Sequence, residues 1–209
     1  MPRHSTRRRD APDRVVPEVA SLPADQRERR DRIVDAAVEM MIEVDYTDIQ
    51  VKDIARRAGV ALGTLYRYFG SKDHLMAEAL LAWSSRFPAD RAGTRAEGTD
   101  PATQVAAVYL TAAKAFERSP RVYGALMQVQ ASSDPRAAAR FADFGHRQTA
   151  AFAGALDTLD DDIRDDVVVV MDAVLSEGLR RCQSGAVTRA VLRERIQRAA
   201  ELLVSPARV

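Results

Sequence analysis

The residues whose types and spacing could do chemistry sit in one short stretch, 54 to 72, which reads Ile-Ala-Arg-Arg-Ala-Gly-Val-Ala-Leu-Gly-Thr-Leu-Tyr-Arg-Tyr-Phe-Gly-Ser-Lys. Val51, Ile54, Ala55 and Ala58 recur at intervals of three and four, which places them on one buried face of a short helix. Gly59 supplies the left-handed residue that ends such a helix, and Val60 packs beneath the turn. A second helix is expected from Ala61 or Leu62, with Leu62, Leu65 and Phe69 inside and Gly63, Thr64, Arg67 and Tyr68 on or near the outer face. Two short helices joined by a tight turn, with a polar and aromatic outer face, suit insertion into a DNA groove. Arg can donate two hydrogen bonds to guanine and Thr can touch a thymine methyl, so Arg67 and Thr64 are candidates for base contact. Tyr66 at the flank can reach a phosphate, and Gly63 lets the backbone approach the duplex. Ser71 reads as the cap of the next helix, which puts Lys72 at a helix start suited to phosphate. With Lys52 on the first motif helix, these form the candidate DNA-binding set: Lys52, Gly63, Thr64, Tyr66, Arg67, Tyr68 and Lys72.

The elements that position this stretch are all helical. Helix 1 is expected from near Asp25 to Glu43, with Ile33, Ala36, Ala37, Met40 and Met41 inward. A fourth helix follows from Lys72 through Leu75, Ala79, Leu80 and Trp83 and stops before Pro88. Residues 89–99, with Gly93 and Gly98, read as a loop. Asp100-Pro101 caps a fifth helix that ends before Pro120; a short sixth covers about Val122 to Ala131, and Asp134-Pro135 starts a seventh reaching Thr158. Asp160, Asp161 and Asp162 favour the start of an eighth, which runs to Cys182 before Gly185, and Thr188 caps a ninth ending near Val204. The expected fold class is therefore all-α with about nine helices. Its parts are a flexible basic arm at 1–23, a helix-turn-helix domain at 24–71, and a helical bundle at 72–209. The arm carries Arg3, Arg7, Arg8, Arg9 and Arg14 among prolines, has no apolar periodicity, and suits contact with a DNA backbone or minor groove.

Composition narrows the classes. A net charge of +1 over 209 residues argues against an indiscriminate polyanion binder and leaves room for a local positive face. The single cysteine, Cys182, excludes an internal disulfide; no signal peptide or long apolar span is evident, so a reduced cytoplasm is the expected setting, with no membrane partner. His4, His74 and His146 are far apart in sequence, and neither a phosphate loop nor a nucleophile elbow occurs. These features speak against an enzyme, and no cofactor or metal is expected. A protein-interaction module in which the motif is only structural is the other alternative, and its second helix would not need the polar and aromatic face formed here by Thr64, Tyr66, Arg67 and Tyr68.

From Arg32-Ile33-Val34-Asp35-Ala36-Ala37 through Asp53-Ile54-Ala55, Ala58-Gly59-Val60, Gly63 to Phe69 and Ser71-Lys72, the chain resembles the DNA-binding domain of the TetR family of transcriptional regulators. Gln50 and Ala61 depart from the pattern, since members commonly carry Ser or Thr at these helix starts. The resemblance implies a homodimeric regulator of double-stranded operator DNA, a repressor by default, whose C-terminal domain, 72–209, serves effector binding and dimerisation and holds a small effector. Segments 115–120, 122–130 and Asp134 also resemble the branch that controls sterol and fatty-acid catabolism in actinobacteria, which implies an apolar effector such as an acyl-CoA or a steroid derivative.

Two further sets of residues follow. Trp83, Phe87, Tyr109, Phe116, Tyr123, Met127, Phe141, Phe144, Phe152 and Met171 lie at helical spacing; each alone suits a core, and together they suit an apolar effector pocket between helices. Gln128, Gln130, His146 and Gln148 are its candidate polar groups. On the last two helices the apolar stripes, Val168, Met171, Val174, Leu175 and Leu179, then Val191, Leu192, Ile196, Ala199, Leu202 and Leu203, are wider than one internal neighbour needs. The resemblance places the dimer interface on these helices, with Met171, Val174, Leu175, Leu179, Leu192, Ile196 and Leu203 as its candidates.

Overall fold

Polar caps set where most of the helices begin. The computed structural model describes residues 19–86, 100–156 and 161–204, with side chains over 20–86, 100–145 and 163–204. Its elements are α1 (Ala24–Glu43), α2 (Val51–Arg57), α3 (Leu62–Tyr68), α4 (Lys72–Ser84), α5 (Pro101–Arg118), α6 (Pro120–Gln130), α7 (Pro135–Leu156), α8 (Asp161–Gln183) and α9 (Arg189–Val204), preceded by a 3-10 turn at Val19–Ser21. No strand occurs among the described residues. Side-chain oxygens of Ser71, Asp100, Asp134 and Thr188 accept backbone N–H groups of His74, Thr103, Arg136 and Val191, satisfying donors that a helix start leaves open. Pro101, Pro120 and Pro135 each open a helix, where the missing N–H costs nothing. Pro120 thus starts α6 two residues earlier than its apolar pattern suggested.

Two glycines end helices in the left-handed region. After α2, Gly59 (φ 66°) and Val60 return their N–H groups to the carbonyls of Arg56 and Ala55; after α8, Gly185 (φ 73°) and Ala186 do the same to Cys182 and Arg181. The first of these turns aims α3 away from α2.

One buried apolar cluster runs from Leu22 to Val204. Helices α1, α2 and α3 pack together through Ile33, Ala37, Met41, Ile54, Ala55, Leu65 and Phe69. Helix α4 is buried along nearly its whole length, with α1 on one side and α6 and α7 on the other. Behind it α5 packs on α7, α8 and α9, and α9 also packs on α8. The expected basic arm lies outside the described residues up to 18; at its end, Leu22 is buried in the core, so the packed chain begins before residue 24. The expected loop at 89–99 also lies outside them.

Candidate nucleic-acid interface

Helix α3 has seven residues, and three residues pin it. Leu65, Tyr68 and, just past its end, Phe69 are buried against the rest of the module, which leaves the opposite side to solvent. On that side Gly63 and Arg67 are exposed, Thr64 and Tyr66 are half-buried, and Lys52 is exposed at the start of α2. A Cβ added at Gly63 would meet nothing within 4 Å, so the backbone there is open to approach. As the sequence suggested, neither Gln50 nor Ala61 makes a side-chain cap. The N–H groups of Asp53 and Thr64 return instead to the backbone carbonyls of Gln50 and Ala61.

Two placements need correcting. Tyr68, expected on the outer face, is 2% exposed, and its hydroxyl is buried without a hydrogen-bond partner among the described residues. The guanidinium of Arg67 lies 5.4 Å from its ring centroid, so the pair shares one edge of α3 while only Arg67 reaches solvent. Leu62, expected inside, is 43% exposed. As the first residue of the helix it projects past the neighbours that cover Leu65 one turn later.

Lys72 also differs from its expected pose. Its Nζ donates to the Tyr46 carbonyl at 2.5 Å and lies 4.1 Å from the Tyr46 ring centroid. Burial lowers its pKa, against the pull of Asp73 and Asp48. It holds the loop between α1 and α2 onto the start of α4 instead of projecting outward.

That loop belongs to a polar junction which the sequence did not reveal. The Tyr46 hydroxyl and the Ser132 hydroxyl both donate to Asp73, and the Ser71 hydroxyl donates to Asp134. Burial pushes the Asp134 carboxyl up, but hydrogen bonds from Ser71 and the backbone N–H of Arg136 outweigh it and hold the pKa below the ordinary range. Deeper in, Glu78 of α4 forms ion pairs with Arg30 of α1 at 2.6 Å and with Arg140 of α7 at 2.8 Å. Arg140 also pairs with Asp143 at 2.8 Å, and Arg30 lies 5.2 Å from the Phe69 ring centroid. His74 is buried at the centre; its Nδ1 accepts the Gly70 N–H at 3.3 Å, and burial lowers its pKa. The helix-turn-helix end of α4 is thus tied directly to the start of α7. Only the Ser71 and Asp134 caps had a local signal; partners 26 to 63 residues apart leave none.

The aromatic set in the C-terminal bundle is packed. Trp83 and Phe116 lie 5.1 Å apart between centroids, Phe116 and Tyr123 5.8 Å, and Phe141 and Phe144 6.0 Å. The Tyr109 hydroxyl donates to Asp172 at 2.9 Å, and the Tyr123 hydroxyl to the Ser176 carbonyl at 2.7 Å. Burial raises both phenol pKa values. Trp83, Tyr109, Phe116, Tyr123, Phe144 and Met171 are buried, and Met127 is half-buried. Gln128 and Gln130, expected to orient a ligand, are exposed on α6. Phe87 lies outside the described residues, as do the side chains of His146, Gln148 and Phe152.

The dimer candidates divide in an unexpected way. Met171, Leu175, Leu179, Leu192 and Ile196 are buried within a single chain, where α9 packs on α5 and α8; Leu192 reaches so close that Gly178 has no room for a Cβ. Val174 and Leu203 are half-buried. Among the described residues, the large apolar side chains left exposed on these helices are Ile163, Val169, Val170 and Leu202.

Residues 33–79 match the family described as bacterial regulatory proteins, tetR family. The repressor KstR of Rhodococcus jostii is 34% identical over 131 residues, covering 63% of this chain and 61% of its own length. The match therefore spans less than two thirds of that relative. A TetR transcriptional regulator from Rhodococcus sp. RHA1 shares the fold with a TM-score of 0.72 over 88% of this chain and 99% of its own, at 24% identity. The regulator FadR of Bacillus subtilis, solved in complex with stearoyl-CoA, does so with a TM-score of 0.62 over 84% and 97%, at 19% identity. Fold and site define an all-helical protein with an N-terminal helix-turn-helix. Residues 33–79 carry the DNA-binding segment of the tetR family, and the chain as a whole is similar to TetR-family regulators. The matched proteins are named as regulators and repressors, in keeping with a non-enzymatic reading of the sequence. No described helix is long and apolar enough to cross a membrane.

Proposed function

We propose that this protein is a cytoplasmic, homodimeric repressor that binds a palindromic operator and is released by a small apolar effector in its C-terminal domain. The observation that carries the proposal is the outer face of α3, where Gly63, Thr64, Tyr66 and Arg67 present a close-approach point, a hydroxyl, a phenol and a guanidinium on a rigidly seated helix. Arg67 and Thr64 read bases; Tyr66 and Lys52 hold phosphates. Lys72 acts indirectly, by fixing the Tyr46 loop against α4.

Release runs through the junction. An effector that displaces α7 moves Asp134 and Arg140, and with them Ser71 and Glu78 at two levels of α4. The two recognition helices of a dimer then lose their common spacing in the groove. An acyl-CoA or a steroid-like effector suits the aromatic and aliphatic interior of the bundle, and a fold neighbour solved with stearoyl-CoA supports that chemistry. Exposed Ile163, Val169, Val170 and Leu202 are the dimer face.

Selection of genomic fragments by the purified protein at moderate salt tests the reading, run beside a Tyr66→Ala, Arg67→Ala variant. Recovery of one or a few palindromic sites by the native protein alone is expected; recovery of nothing, or of the same fragments by both proteins, overturns it. Addition of long-chain acyl-CoA or of a steroid thioester to the recovered complex then tests the effector class, with loss of binding as the expected result.

A further inference from the structure

The leading end of α3 carries no polar side chain. Ala61, Leu62 and Gly63 are all exposed, and the first side chain able to hydrogen-bond to a base is that of Thr64. Leu62 is the large one of the three, and its 43% exposure contrasts with the complete burial of Leu65 on the same helix. None of the described residues covers that surface: α3 packs on α1 and α2 through its other side, and the exposed apolar residues assigned to the dimer face belong to α8 and α9. The open backbone at Gly63 brings this end of the helix close to whatever the face meets.

A base-pair edge in the major groove offers one apolar group, the 5-methyl of thymine. Hydrogen-bond readout is closed to Leu62, whereas van der Waals readout of a methyl is open to it. Resting on the DNA-binding reading above, we infer that Leu62 is a specificity residue which packs on a thymine methyl in each operator half-site and requires an A·T pair there. Arg67 and Thr64, further along the helix, carry the hydrogen-bonded part of the code. The apolar first turn therefore calls for one fixed A·T position per half-site, read without a hydrogen bond.

Replacing thymine by uracil removes only the methyl and leaves every hydrogen-bonding group in place, so it isolates this contact. The experiment measures the affinity of the native full-length chain for its selected operator with each thymine changed in turn, symmetrically in both half-sites, and repeats the series with Leu62→Ala and Leu62→Met. Native protein should lose about fourfold per half-site at one position, the worth of one buried methyl. Leu62→Ala should bind thymine and uracil there equally, and Leu62→Met, which keeps an apolar tip, should retain the preference. Unchanged helical content will show that Leu62→Ala folds. Tolerance of uracil at every position, or an undiminished methyl preference in Leu62→Ala, overturns the inference while leaving operator binding itself intact. Failure to select any operator overturns the DNA-binding reading and this inference together.

Discussion

The helix-turn-helix and the C-terminal bundle use similar side chains under different constraints. In the first, a seven-residue helix is held by Leu65, Tyr68 and Phe69, so its outer face is determined by three contacts. In the second, long helices have neighbours on more than one side, and apolar residues are shared between the chain's own core and a face left open. A pattern of period 3.6 says which residues lie together; it does not say which neighbour covers them. The lesson is clearest on α9, where Leu192 is 0% exposed and Leu202 is 78% exposed although both belong to the same expected stripe.

The largest effect that would sharpen this contrast is at the junction between the two regions. Glu78→Ala leaves the buried Arg30 with only Asp31, 3.9 Å away, and Arg140 with only Asp143, and a cost of about 3 to 5 kcal/mol in unfolding free energy is expected by chemical denaturation. A loss within experimental error would break the view of Glu78 as the pivot between α1 and α7. Next, Leu192→Ala should cost about 3 kcal/mol through the cavity it leaves. Leu202→Ala should leave the fold unchanged and shift sedimentation toward the single chain; equal losses of stability from both would erase the distinction between the inner and outer sides of α9.

A smaller effect is set by His74. Its folded pKa lies below the unfolded value near 6.5, so the unfolded chain binds the extra proton first. Stability from the neutral imidazole is present above pH about 6.5 and falls as pH drops toward the folded pKa, by at most about 1.4 kcal/mol per pH unit. Glu78 and Asp134 oppose the shift, Arg140 and Arg30 support it, and the Gly70 N–H bond to Nδ1 favours the neutral ring. Thermal midpoints between pH 7 and 5 should decline, and His74→Gln should flatten that decline. Asp134, whose pKa is depressed, contributes in the other acid window: its stabilisation is present above the unfolded carboxyl value and is lost as pH falls below it.

Ser71→Ala removes a cap and the link to Asp134, for about 1 kcal/mol of stability and a weaker coupling between effector and DNA. Titrating the operator complex with effector reads the second term directly; full coupling in this variant would place the transmission elsewhere. At the small end stands Tyr68→Phe. Removing a buried hydroxyl that has no described partner should leave the melting temperature unchanged or slightly raised, and a clear drop would show that the hydroxyl does bond in solution.

Much of this fold was legible because its signals are local. Asp100-Pro101, Asp134-Pro135, Ser71 and Thr188 announce helix starts through bonds to N–H groups two or three residues away, and Gly59 and Gly185 announce ends through their backbone freedom. The order and spacing from Ile33 to Lys72 carried the likeness to the tetR DNA-binding segment, which is matched over residues 33–79. The outer face of α3 was read correctly for Gly63 and Arg67 and wrongly for its two margins, because a helix of two turns leaves Leu62 without a covering neighbour and lets Tyr68 fold under. Lys72 was rightly placed at a helix start, and yet the direction of its side chain depends on Tyr46, 26 residues earlier.

Sequence by itself determined the all-helical class, most helix boundaries, the helix-turn-helix and the apolar character of the bundle, since each follows from residues within a few positions of one another. Only the tertiary structure decided which apolar stripe faces inward, that Arg30, Glu78 and Arg140 share one buried charge site, and that α4 is clasped at Ser71 and Glu78 by α7. The physical reason is that burial and charge pairing depend on which distant surfaces meet, and no local periodicity encodes the partner.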